Sequence, residues 1–434
     1  MNYVEIGVLL ADEVRFSFSG LYRLGGDLVD CVANVVKCVD GLLAWQGKMC
    51  ERLHFVPMTT GCRFTLCDVV IGVDFHWERK QNQMFEGELL LFVEDGKVRA
   101  VNVLPVENYL KSVISSEMSA SASLEFLKAH TVISRSWLYA QLMRKNETTS
   151  ARLGFETENE VSRWYARENH TTFDLCADDH CQRYQGVPIK DNKKVEEAVH
   201  STENEVLTFN GKVCDARFSK CCGGVTERFS SCWEDADFEY LQSFRDCEDV
   251  VTFPDLKLED NARQWIEDSP PSLCNTSDKN VLSQIMNNYD CETTDFYRWK
   301  ITYTQDELSQ IVALRSGIDF GSILDLVPVE RAASGRLVRL RVVGSKRTMV
   351  VGKELEIRRW LSPSHLYSSA FVVDKEVGVD NSLLFVLKGA GWGHGVGLCQ
   401  IGAAMMGEKG YDYRAILNHY YPGAVIEDVN SVYG

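Results

Sequence analysis
The sequence predicts an α+β protein, with a mixed α/β core set between a β-rich N-terminal region and a C-terminal β-meander followed by helices. Three observations carry that expectation. Residues 1–75 alternate short apolar runs with Gly and Asp, and residues 106–145 hold two stripes of helical period. Residues 320–355 hold three strand-length runs broken at Ser334-Gly335 and Gly344-Ser345.

The runs YVEIGVLL, LYRLGGDLVDCV and VDGLLAWQG are short and punctuated as strands are, so the N-terminal region reads as a small sheet or barrel. In EGELLLFVEDGKVRAVNVLPVENYL two apolar runs flank Asp95-Gly96, a pair suited to the positive φ angles of a tight hairpin. Pro105 stops the second run and fits the first helical turn, where a missing N–H costs nothing. Val106, Tyr109, Leu110 and Val113 then keep the i, i+3, i+4, i+7 rule. After SEMSASAS a second stripe runs through Phe126, Ala129, Ile133, Trp137 and Ala140. Residues 146–185 are polar and irregular and read as a long loop or insertion. NKKVEEAVHST reads as a helix, VLTFNGKV and DARFSKCCGGVTERF as strands, and the acidic, Asn/Ser-rich stretch 250–300 as an insertion. The meander, the Gly-rich GAGWGHGVGLCQ and helices over 400–408 and 413–420, ended by Pro422-Gly423, complete the chain. The expected division is a β-rich region 1–80, a first core part 81–250, an insertion 251–315 and a second core part 316–434.

With 434 residues the chain has room for two or three domains with sizeable cores. Its 46 basic against 62 acidic residues leave a net charge of −16 with no basic block. That balance argues against nucleic acid and anionic membranes as partners, since both demand clustered cations. No apolar run approaches the roughly 18 residues of a membrane span. The start MNYVEIGVLLADEV has no basic-then-apolar export pattern, so by sequence alone the chain either stays in the cytoplasm or has had a leader removed. The 15 cysteines are scattered rather than densely spaced, which points to reduced, buried thiols with a metal site among them.

Four places carry candidate chemistry. Extending the first helical stripe by four residues lands on Glu117, so a carboxyl leaves the helix end on the face committed to burial. Such a group is either raised in pKa, as a general acid near neutral pH requires, or salt-bridged, with Lys128 or Arg135 as partners. HTTFDLCADDHC offers His170, Cys176, His180 and Cys181 within a polar stretch short of apolar residues, where a tetrahedral zinc ion would replace the missing core. Adjacent residues point apart in extended chain, so His170, Cys176 and Cys181 are the expected trio, leaving a fourth position open. The alternative is chance proximity. GAGWGHGVGLCQIGA is a flexible backbone able to approach a ligand closely, with Trp392 as a flat stacking face and His394 between glycines; its spacing fits neither a dinucleotide fingerprint nor a phosphate loop. A structural turn is the alternative there. In FSKCCGGVTE, Gly223-Gly224 reads as a hairpin turn and Cys222 as a small buried hydrophobe, with Ser219 beside it.

Taken together, VENYLKSVISSEMSASASLEFLKAHTVISRSW, FDLCADDHCQRYQG, CDARFSKCCGGVTE with Trp233, and GWGHGVGLCQIGAAMMGEKGYDYRAILNHYYPG resemble the stage II sporulation protein D/LytB family, whose members include peptidoglycan lytic transglycosylases. The resemblance covers residues 85–245 and 325–425. It implies that Glu117 is the catalytic acid of the family's S-E-M-P segment, with Ser119 here in place of the proline. It also implies zinc held by His170, Cys176 and Cys181, and a cell-envelope setting. The implied substrate is the glycan strand of peptidoglycan, stripped of stem peptides and cut between N-acetylmuramic acid and N-acetylglucosamine. Trp392, His394, Gln400, Arg135 and Ser219 are the candidate sugar-binding residues. Two other functions stay open: a non-catalytic glycan-binding enhancer of a cell-wall amidase, and a zinc-dependent wall hydrolase.

Overall fold
The computed structural model describes residues 3–29, 33–72, 78–119, 121–144, 154–165, 170–178, 180–188, 192–249, 251–285, 295–379 and 381–432. Helices and multi-stranded sheets coexist in it, and the α+β class holds. The chain forms two compact units: Met1–Ala120 with Asn169–Glu203, and Ser121–Glu168 with Asn204–Gly434.

In the first unit two antiparallel sheets face one another. One runs, in order, Leu175–Cys176, Tyr3–Ala11, Lys97–Pro105, Glu88–Glu94, Arg52–Pro57, Tyr22–Leu24 and Asp27–Val29, with only the Leu175–Cys176 pairing parallel. The other runs Arg79–Glu86, Arg63–Ile71, Glu13–Ser19, Asn34–Val39, Leu42–Trp45 and Lys48–Cys50. Alternation along each strand turns one side chain in two toward the partner sheet, and the inward positions mix aliphatic residues with an aromatic cluster. Phe16 and Phe18 meet Phe55 at 5.4 and 5.2 Å, and Phe18 stacks on Tyr22 at 4.2 Å. Such pairs add about 0.5–1.5 kcal/mol each beyond burial. Asp95 (φ 51°) and Gly96 (φ 74°) form the expected tight turn, with Glu94 opposite Lys97.

The helix Val106–Glu117 starts at Pro105, which caps it from extended backbone (φ −59°, ψ 143°) rather than joining the first turn. Val106, Tyr109, Leu110 and Val113, the stripe read from the sequence, are all buried. A second helix, Lys193–Ser201, begins where the Asn192 side chain accepts hydrogen bonds from the Lys194 and Val195 N–H groups at 3.2 and 3.4 Å.

The second unit is built around the helix Leu124–Arg144. The sequence shows one apolar stripe there, yet the helix is buried nearly all round, including His130, Thr131, Ser134, Arg135 and Gln141. Strand Glu205–Phe209 and helices Gln400–Glu408 and Tyr413–Tyr420 pack on it, so its polar residues bond inside the core. Ser136 Oγ, for example, accepts the Leu207 N–H at 2.8 Å. The expected meander is present as Ile323–Arg331, Leu337–Gly344 and Thr348–Gly352. Its edge is extended by Glu160–Arg163 and Gly154–Glu156, strands drawn from a segment that reads as loop because both are short and polar. A three-stranded sheet of Arg298–Thr304, Leu383–Ala390 and Phe371–Val377 completes the unit, with Trp299, Phe320, Trp360 and Phe385 in the shared core. Residues 251–285, read as an insertion, carry helices Glu259–Asp268 and Lys279–Ile285, whose Trp265, Ile266, Val281 and Leu282 are buried.

Candidate active site
In the first unit Glu117 is the last residue of its helix and is half-buried. Its Oε1 accepts the Arg183 backbone N–H at 3.3 Å. Two turns earlier on the same helix, the Tyr109 hydroxyl donates to Gln182 Oε1 at 3.0 Å. The helix therefore grips consecutive residues of the segment that follows Cys181. Tyr184 stacks on Tyr109 at 5.5 Å and its N–H bonds back to Ala177 O at 3.0 Å.

That segment is itself pinned. Leu175 and Cys176 pair in parallel with Ile6 and Gly7, and Asp174 and Ala177 donate backbone N–H groups to Glu5 O and Gly7 O. His170, Cys176, His180 and Cys181 each bring one donor atom into a group with all members within 4.8 Å of one another. Cys181 Sγ lies 3.5 Å from His170 Nε2 and 3.6 Å from His180 Nδ1, and Cys176 Sγ lies 3.7 Å from His180 Nδ1. The chain turns at 180–181, so neighbours that would diverge in an extended strand face the same point. Hydrogen bonding from the Cys181 thiol and then from His170 and His180 outweighs burial and holds the Cys176 thiol far below its usual range. Two imidazoles and two thiols, one already disposed to ionise, suit a tetrahedral zinc ion, and four donors would fill its coordination sphere.

The remaining sequence candidates lie in the second unit. Trp392 is half-buried, stacked on Tyr367 at 4.0 Å and edge-on to Phe296 at 5.1 Å. His394 Nδ1 accepts the Val396 N–H at 3.0 Å, which places the ring proton on Nε2. Burial, then the positive charges of Arg217, Arg358 and Arg336, push its pKa well down, so the ring is neutral. Trp233 packs against it at 5.0 Å. Gln400, Arg135 and Ser219 are placed in the interior. Gln400 Nε2 sits 3.2 Å from His130 Nε2, Arg135 donates to Glu205 O at 3.0 Å, and Ser219 Oγ is buried. Lys128 pairs with Glu125 of its own helix at 2.8 Å.

The glycines of GAGWGHGVG have a physical reason. Gly391, Gly393, Gly395 and Gly397 all take positive φ, and a Cβ at Gly395 would stand 2.5 Å from Arg336 Cζ. Arg336, fully buried, donates to Cys222 O at 3.2 Å, Ser334 Oγ at 2.9 Å and Gly393 O at 3.1 Å. It clamps the Gly-rich loop to the CCGG segment. Gly223-Gly224 accordingly closes no hairpin of its own: Cys221 pairs with Trp392 and Glu227 with Val396.

Comparison with known families finds two matching stretches. Residues 94–209, which include Glu117 and the His/Cys group, match the family described as "Stage II sporulation protein", and residues 227–397 match a domain of unknown function, DUF8618. The chain is similar to an uncharacterized protein of Brachyspira hyodysenteriae, 26% identical over 80% of this chain and 73% of that one. It is similar to the amidase enhancer of Bacillus subtilis, 26% identical over 73% of this chain but only 40% of the enhancer. To stage II sporulation protein D of the same organism it is 23% identical over 77% of each. Residues 94–209 thus carry a SpoIID-like stretch, and over most of its length the chain is similar to proteins of that family.

Proposed function
We propose that this protein acts on the bacterial cell wall as a lytic transglycosylase, with Glu117 as its single acid and base. The observation that supports this reading is one carboxyl group, at a helix end, fastened by a backbone N–H two residues beyond a metal-type cluster. In the proposed reaction Glu117 gives its proton to the glycosidic oxygen, and the bond from that oxygen to the muramyl C1 breaks, releasing the N-acetylglucosamine 4-hydroxyl. The resulting carboxylate takes the proton of the muramyl C6 hydroxyl as that oxygen bonds to C1, closing a 1,6-anhydro ring. One carboxyl suffices because no water is activated, whereas ordinary glycosidases need two.

Zinc at His170, Cys176, His180 and Cys181 would brace the loop that presents Arg183. Filled coordination favours that role over a hydrolytic one. Trp392, beside Tyr367 and Phe296, is the proposed sugar-stacking face of the second unit. The similarity to an amidase enhancer supports a second reading, glycan binding without cleavage. Amidase-treated wall separates the two. Wild type should release anhydro-muramyl ends, and Glu117→Gln should lose about 10²–10⁴-fold of that rate. Binding without any anhydro product would instead favour the enhancer, and new reducing ends would point to a hydrolase.

A further inference from the structure
The second unit holds another cluster that the proposed chemistry does not use. Cys222, Asp246, Cys274 and Cys399 come from four separate segments, are all buried, and bring one donor atom each within 4.8 Å of the others. Cys222 Sγ lies 3.5 Å from Cys274 Sγ and 3.3 Å from Asp246 Oδ2. Ligands at about 2.3 Å (sulfur) and 2.0 Å (oxygen) from a tetrahedral zinc stand about 3.8 and 3.5 Å apart, close to these separations. A disulfide would need about 2.05 Å.

The surroundings are those of a coordination site. The Cys222 backbone N–H points at Cys399 Sγ at 3.2 Å, and the Cys221 thiol hydrogen-bonds with Cys274 and Cys399. Asp246 Oδ1 is held by the Tyr420 hydroxyl at 2.9 Å and by His419 Nε2 at 3.2 Å, which orients Oδ2 toward the sulfurs. Its backbone is fixed on both sides, N–H to Gly224 O and O to the Leu273 N–H. A Cβ at Gly402 would come within 2.6 Å of Oδ2, so the carboxylate fits because that residue is glycine. A wholly buried carboxylate among three thiols carries a heavy desolvation penalty that a cation would relieve.

We propose that Cys222, Asp246, Cys274 and Cys399 form a second, mononuclear metal site of the zinc class. Its place in the fold gives it a structural task. Cys222 O is held by Arg336 and Cys221 pairs with Trp392, so the ion would lock the frame under the Gly-rich loop. The inference does not depend on the transglycosylase reading.

The test uses the full chain carrying His170→Ala and Cys181→Ala, which removes the loop cluster. This variant should retain one equivalent of zinc by elemental analysis. Its cobalt-substituted form should show the intense near-ultraviolet sulfur-to-cobalt absorption of several thiolates, and adding Cys274→Ser should abolish both. A metal-free His170→Ala/Cys181→Ala protein overturns the proposal, as does iron with inorganic sulfide, or an intact mass two hydrogens short from a Cys222–Cys274 disulfide. Should the triple variant not fold, the metal content and cobalt spectrum of the double variant decide alone.

Discussion

Glycines 395 and 410 separate two causes that are easily confused. Both take positive φ, 77° and 86°, but a Cβ at Gly395 meets the Arg336 guanidinium whereas one at Gly410 meets nothing within 4 Å. Gly410→Ala should therefore cost only the left-handed strain, about 1–2 kcal/mol. Gly395→Ala should cost that plus the displaced hydrogen bonds of a buried arginine, about 2–4 kcal/mol in all. Denaturant midpoints measure the difference, and equal losses would mean that Arg336 is not the constraint. At this same scale, Glu117 was visible in the sequence because a helical stripe points to it. His180 was obscured because its value depends on a turn that residue types alone do not dictate. The second cysteine cluster was hidden for a stronger reason: Cys222, Asp246, Cys274 and Cys399 share no local spacing and meet only in the folded chain.

Among elements, the Val106–Glu117 helix, the hairpin at Asp95-Gly96, the meander and the two C-terminal helices follow from periodicity and punctuation. The short strand Leu175–Cys176 does not, since two residues have no period and their pairing partners, Ile6 and Gly7, lie some 170 residues earlier in the sequence. It is nevertheless the element on which Glu117 depends, because it carries Cys176 and leads to Arg183. Making Cys181→Ser should loosen residues 170–184 and release the Arg183 N–H from Glu117. We expect at least about tenfold slower formation of anhydro ends, with new protease cuts confined to that segment. Unchanged cleavage patterns in the Cys181→Ser protein would show that the strand pairing holds the loop unaided. The Asn192 cap makes a simpler case: Asn192→Ala should cost about 1 kcal/mol in unfolding free energy, because two N–H groups lose their acceptor.

For the whole molecule, buried neutral histidines set the response to acid. Burial lowers His130 to about 3, and burial with nearby arginines lowers His365 to about 4; His394 is pushed down as well. The unfolded chain binds protons near pH 6.5 that these folded rings refuse, so it holds more protons than the native state below that value. Stability from this source is complete above pH 6.5 and falls as pH drops toward 4, by up to about 1.4 kcal/mol per pH unit for each ring. Replacing His130 by Gln should flatten the slope of stability against pH between 6.5 and 4, and an unaltered slope would place the acid sensitivity elsewhere.

The strand Tyr3–Ala11 has its two neighbours far along the chain, at Lys97–Pro105 and Leu175–Cys176. During synthesis it leaves the ribosome before either partner and waits with both edges open until they emerge. A newborn chain thus passes through a period of exposed, sticky backbone, and its yield in the cell should hinge on chaperones that shield this stretch until the later residues arrive.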